Sequence, residues 1–176
     1  MIFGRPKPNG TPPQAVPSVL GPLLLVVDGS EVAIAASHLA VGLSKPLGSP
    51  LTAVYVVDTA TMDYLMQLRI FVQDERDEFE AELEQNGQRC LDAVASLGCA
   101  AGITVQTVLR KGRFHSTVLH EARRLKAGII ILAGWSQSIT RKDAATVERQ
   151  LLLDQAECPV LVVKGDAVRR AGAGRA

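Results

Sequence analysis

The stretch from Ile129 to Lys164, IIILAGWSQSITRKDAATVERQLLLDQAECPVLVVK, constrains the fold more than any other part of the chain. Its opening, IIILA, is too short for a helix and rich in β-branched residues, which predicts a buried strand. Gly134 ends that run, where a turn meets no Cβ. From Ala144 to Gln155 the apolar spacing is helical, with Val147, Leu151 and Leu152 on the inner face and Glu148 and Arg149 off it. Pro159 marks the end of the helix, and VLVV follows as a second buried strand. Two nearly continuous apolar strands joined through a helix make a βαβ unit, so the sheet is predicted to be parallel.

The rest of the chain repeats this alternation. Residues 1–22 hold six of the nine prolines and read as a flexible leader. Leu23 to Glu31, LLLVVDGSE, is a strand and its exit turn, with Asp28 or Ser30 placed to cap the next helix. That helix is predicted over Val32–Leu43, followed by a loop over Lys45–Pro50 and a second strand over Leu51–Asp58. Thr61 to Leu97 keeps a helical period, with a break expected at Asn86-Gly87. Within it, Asp74 to Glu84 (DERDEFEAELE) is strongly acidic and lacks the calcium-loop pattern, so it reads as a solvated face. Gly98–Gly102 is a turn and Ile103–Arg110 a third strand. Phe114–Lys126 is an amphipathic helix facing inward through Val118, Leu119, Ala122 and Leu125. Residues 166–176 are a basic tail. The reading is β-α-β-α-β-α-β-α-β: one α/β domain over 23–165, with helices on both faces of a five-stranded, doubly wound parallel sheet.

At 176 residues the chain has the length of one domain, and 47% apolar content supplies a core. A net charge of +1 gives no electrostatic case for nucleic acid, and 4% aromatic content gives no stacking platform. No apolar run approaches the ~20 residues that span a bilayer, and MIFGRPKPNG has no secretory core, so a cytoplasmic protein is expected. Cys90, Cys99 and Cys158 read as reduced, small core residues.

In such a sheet the ligand crevice lies beyond the carboxyl ends of the strands, where the winding reverses. Asp28-Gly29-Ser30, Lys111-Gly112-Arg113 and Gly134–Lys142 sit at such ends. Two readings stand for them: an anion site using helix-start amides with Lys111, Arg113, Arg141 and Lys142, or ordinary charged loops. Phosphate-loop, dinucleotide and nucleophile-elbow motifs are absent. His38, His115 and His120 show no paired carboxylate or nucleophile at recognisable spacing, and Ser30 and Ser136 are ordinary loop serines. No catalytic set and no metal site is therefore expected.

Over Leu23 to Lys164 the chain resembles the universal stress protein family. LLLVVDGSE is similar to the family's Val-Asp-Gly-Ser opening, AVYVVD to its second strand, GIIILAGW to its fourth, and AECPVLVVK to its Cys-Pro-Val-Leu-Val-Val ending. The resemblance implies a sheet of order 3-2-1-4-5 and a homodimer joined along the last strand, here Val160, Leu161, Val162 and Val163. One branch of the family binds ATP or AMP through G-x2-G-x9-G-S/T after the fourth strand. Gly134 matches the first glycine, but Gln137, Thr146 and Val147 stand at the second glycine, the third glycine and the hydroxyl, in a loop one residue shorter. Side chains there crowd phosphates that backbone amides would otherwise approach. On the base side Asp28 and the main chain of Val56 match. The resemblance implies a regulatory or interaction module of the branch without tight ATP binding. The alternatives are an adenine-nucleotide switch with a divergent loop and a slow ATP-hydrolysing enzyme.

Overall fold

A computed structural model describes residues 20–59, 63, 66–68, 73–134 and 144–164. In chain order the elements are β1 (Leu23–Val27), α1 (Glu31–Leu47), β2 (Leu51–Asp58), α2 (Gln73–Ala100), β3 (Val105–Gly112), α3 (Phe114–Leu125), β4 (Ile129–Ala133), α4 (Ala144–Gln155) and β5 (Val160–Val163). The strands are all parallel and lie in the order β3-β2-β1-β4-β5. Chain direction across the sheet reverses between β1 and β4, which makes their carboxyl ends the topological switch point.

β1 is buried along its whole length because helices cover both faces. Its alternate residues serve two cores. Leu23, Leu25 and Val27 meet α1 and α2 through Ala36, Ala40, Leu91 and Val94. Leu24 and Val26 meet α3 and α4 through Val118, Leu119 and Leu152. The period-two alternation of a strand divides its apolar residues between the two layers.

The helix ends have local causes. Ser30 caps α1, accepting a hydrogen bond from the Ala33 amide at 3.2 Å. The predicted end at Leu43 falls one turn short, since α1 runs on to Leu47 through Pro46. It stops at Gly48, whose φ of 60° is left-handed, and the Ser49 amide returns to the Ser44 carbonyl. The expected break at Asn86-Gly87 is absent, and α2 continues through both residues to Ala100. Gly87 is there for packing: a Cβ on it would come within 2.5 Å of the Tyr55 ring. Burial raises the Tyr55 hydroxyl above its ordinary value, and Asn86 beside it works in the opposite direction. A turn-forming dipeptide thus serves as a seat for an aromatic ring of β2.

Leu20 and Gly21 pack against Gly128 ahead of β4. Among the described residues no helix is long and apolar enough to cross a membrane. The cysteines are free; Cys90 and Cys158 are half-buried, whereas Cys99, expected inside, is exposed. Burial pushes the Cys90 and Cys158 thiols up, so neither is an activated thiolate.

Candidate functional site

Strand register assembles the site. Val27 lies opposite Tyr55 and Val26 opposite Leu132. One step past β1, Asp28 therefore stands beside Val56, and on its other side it is level with Gly134. Thr146 and Val147 lie in the first turn of α4, above the same end of the sheet. The matched base-side and phosphate-side positions that are described thus share one end of the sheet. Gln137 lies outside the described residues, as do Ser136, Arg141, Lys142, residues 1–19 and the tail from 165.

Gly134 has a structural reason of its own. Its amide donates to the Val163 carbonyl at 2.6 Å, and a Cβ would sit 2.8 Å from that oxygen. Contact with the end of β5 requires a glycine there whether or not a phosphate ever approaches. Of the residues expected together on one apolar face of α4, Leu152 is fully buried, whereas Val147 is 44% exposed. Val147 lies in the first turn of the helix, at the open carboxyl end of the sheet.

The occupant of the crevice is Arg149. Its guanidinium donates to Asp28 Oδ2 at 2.7 Å, and Asp28 Oδ1 accepts the Ser30 amide at 3.0 Å. Both carboxylate oxygens are engaged, and the two side chains are only 19% and 21% exposed. The Arg149 guanidinium also lies 5.9 Å from the centre of the Phe114 ring, within the range of a cation–π contact. Its neighbour Glu148 accepts from the His115 amide at 3.1 Å and meets His115 Nδ1 at 2.6 Å. The start of α3 has no side-chain cap from Arg113, so Glu148 caps that helix from α4. Two consecutive residues thus fasten α4, one to β1 and one to α3. His115 has the carboxylate partner that spacing did not reveal.

A second cluster lies on the flank of the sheet, between β3 and α3. Glu121 is 2% exposed and receives Arg110 Nε at 2.7 Å and Arg124 Nε at 2.9 Å. Burial pushes its carboxyl up, but the bonds from Arg110 and Arg124 together outweigh that and hold it below the ordinary carboxylate range. Beside it, Lys111 bridges to Glu80 (2.8 Å) and Glu84 on α2. Part of the acidic segment, read above as a solvated face, thus clips α2 to β3. Among the described residues no group of three or more His, Cys, Asp or Glu could hold a metal.

The sequence pattern of the universal stress protein family matches residues 21–164. The chain belongs to that family. Universal stress protein MJ0531 of Methanocaldococcus jannaschii is 22% identical over 142 residues, covering 81% of each chain. Among solved structures, a universal stress protein family member from Burkholderia pseudomallei superposes with a TM-score of 0.64 at 22% identity, covering 84% of this chain and 98% of that one. The universal stress protein of Archaeoglobus fulgidus in complex with dAMP gives 0.56 at 18% identity, covering 81% and 97%. At these identities the superpositions speak for the fold, and the family's α/β sheet of order 3-2-1-4-5 is the one described above.

Proposed function

We propose that this member of the universal stress protein family is a cytoplasmic regulatory or interaction module without tight ATP binding and without catalytic turnover. The observation that carries the reading is the engagement of both Asp28 oxygens, by the Ser30 amide and by Arg149. A ligand that used the Asp28 carboxylate would have to displace a partly buried guanidinium and leave it without this partner, a penalty added to every binding event. The phosphate side adds to it. Thr146 stands where a glycine would admit backbone amides, and the Val147 side chain offers no hydrogen bond. The ultraviolet spectrum of the freshly purified, denatured protein tests the reading: no absorbance band at 260 nm is expected, and a stoichiometric adenine band would overturn it.

The second reading, an adenine-nucleotide switch with a divergent phosphate loop, is favoured by two facts. The Archaeoglobus fulgidus relative is described with dAMP. Arg149 also stands at the crevice as a cation that could turn from Asp28 to a phosphate. On that reading ATP or AMP is the ligand.

The module acts as a homodimer paired along β5, with a further protein as its partner. β5 is the last strand of the sheet, and Leu161 on it is 37% exposed. An apolar edge strand of this kind is a liability that pairing removes. Val162→Lys is expected to convert the dimer to a monomer by light scattering. An unchanged mass would place the interface elsewhere.

A further inference from the structure

Arg110, Lys111, Ser116, Thr117, His120, Glu121 and Arg124 line one open cavity of ≈ 360 Å³ between β3 and α3. It is lined by none of the residues of the crevice at Asp28. The charge count within it is uneven. Lys111 faces two carboxylates, Glu80 and Glu84. Glu121 is buried behind two guanidiniums that are themselves 43% and 46% exposed. One arginine would neutralise Glu121, so the second places a surplus positive charge at the Arg110–Arg124 end of the cavity wall, while Lys111 and Arg76 together face Glu80 and Glu84 at the other end.

The forks are also held in place. Arg110 gives Nε to Glu121 and Nη1 to the Leu109 carbonyl. Arg124 gives Nε to Glu121 Oε2, and its Nη2 lies 2.8 Å from the same oxygen. Among the described residues, Arg110 Nη2 and Arg124 Nη1 have no partner. A carboxylate that is 2% exposed cannot swing away, so it fixes both arginines on one wall before any ligand arrives. Two oriented guanidiniums with a neighbouring imidazole and hydroxyl suit a tetrahedral oxyanion.

We propose that this cavity is a binding site for a phosphate group, with Arg110 and Arg124 as its ligands and Glu121 as the residue that positions them. The group has two sources. One is a free phosphate or phosphomonoester. The other is a phosphoryl group on Ser116, an exposed hydroxyl on the same cavity wall that follows the basic run Lys111-Gly112-Arg113. In that case a separate kinase transfers the terminal phosphoryl of a nucleoside triphosphate to Ser116 Oγ, the hydroxyl proton leaves, and the diphosphate departs. At the third position of α3 a phosphate also meets the positive end of the helix dipole.

Titration of the full chain with sodium phosphate, followed by amide and arginine Nε–H signals in 1H–15N spectra, tests the site. Sodium chloride at equal ionic strength is the control. Saturable shifts at Ser116, His120 and the two arginines are expected with phosphate and not with chloride. Arg124→Gln, which leaves Glu121 paired with Arg110, is expected to weaken binding about tenfold or more, the effect of one charge-assisted bond. Arg124→Lys, which keeps the charge and loses the fork, should fall between. Identical responses to phosphate and chloride, or unchanged binding in a folded Arg124→Gln protein, would overturn the proposal. A chain carrying phosphoserine at 116 separates the sources. If its spectrum matches the phosphate-saturated one and it no longer responds to free phosphate, the tethered group fills the site. If it still titrates like the wild type, the site takes the free anion.

Discussion

Ile131→Ala is expected to lower folding stability by about 2–5 kcal/mol, the range for emptying a fully buried aliphatic site. Ile131 is 0% exposed in the middle of β4, hydrogen-bonded into the sheet between β1 and β5. Its side chain packs in the layer shared with α1 and α2. In a domain of this size the loss corresponds to a fall in Tm of roughly 10 °C. Ile131→Val removes one methylene and is expected to cost only about 1 kcal/mol. Urea unfolding of the two variants checks both values. A loss below about 1 kcal/mol for alanine would mean that β4 is not the rigid centre of the sheet.

Removing both guanidiniums from Glu121 has the second largest effect. In the double variant Arg110→Ala, Arg124→Ala, a carboxylate that is 2% exposed has lost both partners. Leaving a buried charge unpaired costs several kcal/mol. The arginines are almost half exposed, so water screens the pair and about 2–4 kcal/mol is the expected loss at neutral pH. The pH dependence gives a sharper test. In the wild type the carboxyl is held below its ordinary range. Its contribution is therefore present above the unfolded-state value and is lost as pH falls through the lowered folded one. In the double variant burial acts alone, raises the carboxyl and favours the protonated form. The stability gap between the two proteins should narrow from pH 7.5 to pH 5, measured by urea unfolding at each. A gap that stays constant over that range would mean that Glu121 reaches water once the arginines are gone.

What the sequence disclosed divides along a physical line. Strand runs such as IIILA and VLVV, and the helical spacing of Ala144–Gln155, are local patterns, and they return with the expected bounds. The winding follows from them, because right-handed crossovers leave few arrangements of alternating strands and helices. Asn86-Gly87 misled because a glycine needed for contact with a ring looks the same in sequence as one needed for a turn. Arg149 and Asp28 are 121 residues apart, and nothing local announces that they meet. The same holds for Glu148 and His115. Glu121 left a trace that went unused: it lies on the inward face of α3, between Val118 and Ala122, where a carboxylate requires partners. Gly134 was legible as a glycine but not in its role, since its contact with the Val163 carbonyl depends on where β5 ends.

The central claim is that the crevice at the switch point is closed to nucleotide by the chain's own residues. The most direct test is a thermal melt of the full chain with and without millimolar ATP or AMP and magnesium. The account predicts no change in Tm with either nucleotide. A ligand at about 100 times its dissociation constant stabilises a fold by roughly 2.7 kcal/mol, which here would raise Tm by about 5–10 °C. A rise of that size with ATP or AMP would contradict the account and make Arg149 a phosphate ligand instead of a plug.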